Sequence, residues 1–282
     1  MVQHHLKVGA LVIGSFGVMG AAAQAELAYS GDIGVSITSS DIFNSDDSEN
    51  ATLNGYALSG TARVDMDRWV GFADFNISDR DIKGNNFDQF APEGAKSLGL
   101  HFGYQFDSVY VGAFAGKNWF QGDDASSANG YEDGELYGIE AEYEVSSNVR
   151  LFAQLGDADM VGDQGDTAFK GQFVRAGLSA TQGKLTVATD FEYGRSDNIF
   201  EDNGDWGEYT AFGINAEYQF KPRLIGTFGL SRMDITANTE DKGDETLISI
   251  GVKVPFGANY KRNNLTTTYR PGLAAAWAET LD

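Results

Sequence analysis

The feature that most constrains this chain is an alternation of apolar and polar residues with a period of two, repeated along most of its length. From Leu27 to Thr38, Leu27, Tyr29, Ile33, Val35 and Ile37 fall on one face, and Ala28, Ser30, Asp32 and Ser36 on the other. From Tyr56 to Met66, Tyr56, Leu58, Ala62, Val64 and Met66 oppose Ala57, Ser59, Thr61, Arg63 and Asp65. Trp69–Ile77 and Leu98–Phe106 repeat the pattern. Successive side chains of a β-strand point to opposite faces, so this period predicts strands rather than helices. Further strands are expected near 109–120, 135–145, 149–156, 169–180, 185–195, 208–220, 224–235 and 246–256, which makes twelve. The fifth and eleventh are apolar on both faces, so the sequence leaves their facing open.

The connections alternate between short and long. The short ones are Asp67-Arg68, Asp107-Ser108, 146–148, 181–184 and 221–223. The long ones are expected near 40–53, 79–95, 121–134, 157–168, 196–207 and 236–245, and are rich in Asp, Asn, Gly and Ser. An even number of antiparallel strands, with tight turns at one end and longer loops at the other, is the plan of a bacterial transmembrane barrel. Runs of about 11 to 14 residues, tilted by ~40°, cross an apolar band of ~25 Å, whereas ordinary globular strands average ~5–6 residues. The predicted fold is therefore all-β, a transmembrane antiparallel up-and-down barrel spanning 26–256. A lipocalin-like or periplasmic barrel with its apolar face inward would show the same alternation. Trp69, Phe106, Tyr143, Tyr218, Phe220 and Phe256 sit close to short turns, and Trp119, Phe120 and Tyr209 near the long loops, as two interfacial girdles require.

The N-terminus reads as a secretory signal. Lys7 precedes an apolar run, Val8–Met19, and Ala23-Gln-Ala25 supplies small residues around a cleavage point. Cleavage is expected after Ala25; a retained anchor is the alternative, though the run is shorter than the ~20 residues of a spanning helix.

Charge and composition exclude several functions. The formal net charge is −21, which opposes nucleic acid as a partner because phosphate binding needs clustered Lys and Arg. Cysteine is absent, and His4 and His5 lie in the signal, so only His101 remains. No cofactor, metal or catalytic residue is expected. His101 is the sole candidate base for a hydrolase; it points inward near mid-height, and neither G-x-S-x-G nor H-E-x-x-H occurs.

If the apolar face meets lipid, the polar face lines the interior. This places Asp32, Arg63, Asp65, Asp74, His101, Gln105, Glu140, Glu142, Arg175, Asp190, Glu192, Glu217 and Lys253 in the lumen, with Asp32, Asp74, His101, Glu140, Arg175 and Asp190 near mid-height. Eight are acids and three are Arg or Lys, so the interior is expected to favour cations. The alternative is an interior in which acids and bases pair around a plug. A twelve-stranded lumen is narrow, and loop 79–95, with Phe87, Phe90 and Pro92, is a candidate constriction. The acidic loops carry carboxylates such as Asp46, Asp47, Glu49, Asp157, Asp159, Asp163 and Asp166. They read as solvated surface, with divalent cations that bridge lipopolysaccharide as the alternative.

Past Phe256 the pattern stops. Residues 257–271 are basic through Lys261, Arg262 and Arg270, and Leu273–Leu281 has the composition of a short helix. The tail 257–282 either folds back into the lumen as a plug or lies loose in the periplasm.

The whole arrangement from Leu27 to Phe256 resembles the Gram-negative porins and porin-like barrels, including those of alphaproteobacteria. The runs Gly103-Tyr-Gln-Phe106 and Glu217-Tyr-Gln-Phe220, each closing a strand before a short turn, are typical of such barrels. The resemblance implies an outer-membrane channel for passive diffusion of small hydrophilic solutes or cations, often as a homo-oligomer. Contact with outer-membrane lipid and lipopolysaccharide would come with it. The low strand number and the tail depart from the general pattern. A non-conducting structural or adhesive barrel is the alternative function.

Overall fold

The computed structural model describes residues 27–44, 49–83, 94–121, 133–161, 167–196, 207–237, 241–257 and 260–271. Twelve strands run in chain order: β1 (Leu27–Asn44), β2 (Glu49–Met66), β3 (Trp69–Lys83), β4 (Gly94–Phe106), β5 (Val109–Gln121), β6 (Asp133–Ser146), β7 (Val149–Val161), β8 (Thr167–Gln182), β9 (Leu185–Ser196), β10 (Gly207–Lys221), β11 (Leu224–Ala237) and β12 (Asp241–Gly257). Each pairs antiparallel with its sequence neighbours, and β1 closes the barrel on β12 with Ile37 opposite Ile250. Closure satisfies every strand edge, which a hydrocarbon environment demands.

The alternation sets the facing. Ile37, Leu100 and Ile139 are each more than 60% exposed, and large apolar residues of every strand share the outer face. Such a continuous apolar surface is unfavourable in water at about 25 cal/mol per Å2, and matched by lipid tails. The inner face carries the buried carboxylates, amides and hydroxyls.

The short connections are two-residue turns, and Asp67 (φ 55°) and Asp107 (φ 44°) take left-handed backbone there. Asp is one of the few side chains that tolerates this region, because its carboxylate can bond local backbone.

Three sequence expectations change. Most of 40–53 is strand: β1 continues to Asn44 and β2 begins at Glu49. Likewise Asp157 and Asp159 belong to β7, where Asp159 pairs with Lys170 at 3.1 Å. Polar composition misled here, because a barrel strand that rises beyond the membrane no longer needs an apolar face. Tyr209, expected in the outer girdle, turns inward and is 1% exposed; its hydroxyl donates to Glu192 at 2.8 Å. The remaining named girdle residues near the short turns, Trp69, Phe106, Tyr143, Tyr218, Phe220 and Phe256, are exposed on the outer face. The fifth and eleventh strands are resolved as well. Tyr110 and Phe114 of β5, and Ile225, Met233 and Ile235 of β11, face inward and are buried. The constriction expected at Phe87, Phe90 and Pro92, the acids Asp46, Asp47, Asp163 and Asp166, and the helix at 273–281 lie outside the described residues.

Candidate functional site

Every lumen residue named from the sequence turns toward the interior, and most of them meet there. The periplasmic third of the lumen holds an apolar layer, Val70, Phe72, Tyr110 and Phe152 packed around Leu265. Four of these come from three different strands, and the fifth comes from the chain beyond β12. Residues 260–271 thread the barrel interior, and their contacts with the wall define the site.

Above the apolar layer lies a carboxylate–imidazole cluster. His101 Nε2 is 2.7 Å from Asp74 Oδ1, and Nδ1 is 2.9 Å from Glu140 Oε2. Both partners are carboxylate oxygens of the wall, so each ring nitrogen is engaged within the cluster. Phe72 stacks on the ring with centroids 4.1 Å apart. Tyr110 and Gln154 donate to Glu140 at 3.0 and 3.1 Å. The backbone N–H of Thr267 donates to Asp74 at 3.0 Å, so this cluster fixes the inner segment to the wall.

A second cluster surrounds Asp190 and Glu192. Arg270 Nη1 lies 2.6 Å from Asp190 and 3.0 Å from Glu192. The Thr268 hydroxyl is 2.9 Å from Glu192 Oε2. Arg175 joins Asp190 at 3.4 Å and donates to the carbonyl of Thr266 at 3.2 Å. A third cluster is built on Glu217, which pairs with Lys253 at 3.0 Å and with Arg262 at 2.9 Å. Lys253 also reaches Asp32 at 3.9 Å, and Asp32 accepts from Thr61 at 2.9 Å and Tyr260 at 3.1 Å. Glu142 takes Asn264 at 2.8 Å and Arg150 at 3.2 Å. Arg63 and Asp65 pair with each other at 2.8 Å, and Gln105 donates to the carbonyl of Asp107 at the periplasmic rim.

Two wall glycines mould the lumen to the segment. A Cβ at Gly99 would collide with Thr267, and one at Gly116 would lie 2.6 Å from its methyl group. These positions face inward on adjacent strands, β4 and β5, directly opposite each other. Without a side chain there, Thr267 approaches the sheet backbone closely.

Sequence reasoning missed several participants. Arg80 and Glu245 form a buried ion pair at 2.6 Å near the extracellular end; both fall in stretches whose polar composition reads as loop. Arg150 was visible in the period-two pattern of β7, which places it on the face of Gln154. The roles of Tyr260, Asn264 and Thr268 carried no signal, since the segment has no periodicity.

The interior is not filled evenly. The segment bonds to β1 at its Tyr260 end, to β3 and to β5–β10. Across the lumen, a cavity of ≈ 330 Å3 remains, bounded by the segment on one side and by Ser36, Thr38, Ser59, Ser231 and Ser249 on the other.

The family model described as Gram-negative porin matches residues 78–238 of this chain. No curated protein matches the sequence. Among solved structures, the toluene transporter TodX of P. putida is similar over 83% of this chain and 91% of its own, at 11% identity and a TM-score of 0.42. KdgM porin, in complex with disordered oligogalacturonate, is similar over 78% and 99%, at 9% identity and 0.45. An anion-selective porin from Comamonas acidovorans is similar over 82% and 99%, at 10% identity and 0.40.

Proposed function

The chain belongs to the Gram-negative porin family of outer-membrane channel barrels, and from that premise we propose that it is a narrow diffusion channel for small hydrophilic solutes, throttled by its own C-terminal segment. The observation that carries this reading is the pairing of wall acids with bases of the segment. Glu217 meets Arg262, and Asp190 and Glu192 meet Arg270. With the segment in place, these charges are matched and the lumen is partly filled. With the segment removed, Asp74, Glu142, Asp190, Glu192 and Glu217 lose partners, and the bare lumen becomes a cation-preferring path. The pore-lining residues of the open state are thus the inward polar residues named from the sequence, from Asp32 through Gln105 to Lys253.

Export with cleavage after Ala25, lipid and lipopolysaccharide around the apolar band, and assembly into a homo-oligomer complete the proposal. A second reading is a structural barrel that does not conduct. It is favoured by the depth of the segment's anchoring, from Tyr260 at Asp32 to Arg270 at Asp190.

Planar-bilayer recording in a salt gradient tests both, on full-length protein and on a variant lacking 258–282. The channel reading expects a small conductance that rises on truncation, with the reversal potential shifting toward cations. A reversal potential favouring anions in the truncated protein refutes the cation preference. Silence from both proteins leaves the structural barrel.

A further inference from the structure

We infer that the open half of the lumen is a transit site for uncharged, hydroxyl-rich solutes of monosaccharide size. This rests on the channel reading and specifies what the full-length protein passes. The ≈ 330 Å3 cavity is at the small end of the ~300–1,000 Å3 of ligand sites, so it admits one small molecule at a time.

The chemistry of the two walls sets the class. On the sheet side, the inward positions of β1, β2, β11 and β12 present Ser36, Thr38, Ser59, Ser231 and Ser249, small neutral groups that both donate and accept. Each charged side chain that reaches the cavity is already engaged by a partner of the wall or the segment. Asp32 has Lys253, Asp74 has His101, Asp190 has Arg175 and Arg270, and Arg80 has Glu245. An ion entering here sheds hydration and meets charges already engaged with partners, which compensate it less than a bare opposite charge would. A polyol instead exchanges each water for a hydroxyl or amide, at little net cost.

A second observation points the same way. The hydroxyls of Thr38 and Ser97 line the cavity and have no hydrogen-bond partner among the described residues, and Ser97 is only 4% exposed. Buried hydroxyls are rarely left unpaired, so these two are available to whatever occupies the space.

The segment, in this inference, is a fixed wall of the filter. Thr267 is seated against Gly99 and Gly116, and Thr266 is tied to Arg175. Removing the segment therefore exchanges selectivity for conductance.

Flux of labelled glucose, glucosamine and glucuronate into proteoliposomes tests this. The three share a ring and differ in charge, so size is held constant. Full-length protein is expected to pass glucose roughly tenfold faster than either charged analogue, and the truncated protein to pass glucosamine at least as fast as glucose. Ser59→Phe and Ser231→Phe, which fill the cavity from the two ends of its serine-lined wall, are each expected to lower glucose flux severalfold, while lipid-facing Val35→Leu leaves it unchanged. Equal flux of glucose and a charged analogue through the full-length protein overturns the inference. So does flux that appears only after truncation, although the channel reading survives that result. No flux of any solute through either protein refutes the channel reading itself. The wild-type selectivity ratio decides the matter even where a Phe variant does not fold.

Discussion

At the scale of single residues, the lumen is a set of pairings, each exposed to a single substitution. Arg80 and Glu245 lie buried at 2.6 Å, and removing one partner strands the other charge in a place water reaches poorly. Glu245→Gln is expected to destabilise the barrel by about 3 kcal/mol, read from urea unfolding in lipid vesicles. An Arg80→Met/Glu245→Leu pair should recover most of that loss, since a matched apolar pair leaves no charge behind. Gly99 makes a different kind of demand. Its missing side chain is the space that Thr267 occupies. Gly99→Val is therefore expected to dislodge the inner segment without altering any charge, and its single-channel conductance should approach that of the truncated protein. An unchanged conductance with an intact fold would mean that Thr267 is not seated as described.

At the scale of elements, the strands and the inner segment are held by different forces. The strands are fixed by ladder hydrogen bonds and by an apolar face against lipid, both of which follow from local alternation. The segment has no ladder, and it is held by Leu265 in an apolar pocket and by ion pairs and hydrogen bonds to at least seven strands. Replacing Arg262 and Arg270 by Gln should leave the closed ladder of the barrel intact, because these are contacts of the segment rather than of the ladders. The same change should make residues beyond 257 accessible to added protease and shift the reversal potential toward cations. A segment that stays protected in this double variant would mean that Leu265 and the Asp74 cluster suffice to hold it. His101 belongs to this scale too. It joins Asp74 of β3 to Glu140 of β6, so it braces the wall at the height where Thr267 docks.

At the scale of the whole molecule, the two faces of the sheet work in different solvents. Leu100 sits on the outer face at mid-strand and is 62% exposed. Leu100→Arg is expected to cost about 2–4 kcal/mol of folding free energy in a bilayer, whereas Ser59→Arg, on the inner face, should cost far less and alter selectivity instead. Equal costs would mean that the outer face is not in hydrocarbon. The number of strands, the antiparallel closure and the facing of most residues are written in the local pattern, because a period of two is a property that each strand carries in full. It also placed Asp32, Asp74, His101, Glu140, Arg175 and Asp190 on the inner face for the same reason. It could not orient β5 and β11, whose two faces are equally apolar, nor turn Tyr209 inward, since an aromatic suits both a girdle and a packed lumen. Which charges meet depends on the closed barrel and the path of the segment. Asp190 and Arg270 are brought to 2.6 Å by the curvature that closes the sheet and by the path of a segment without periodicity. Those contacts arise between distant parts of the chain, and no local pattern encodes them.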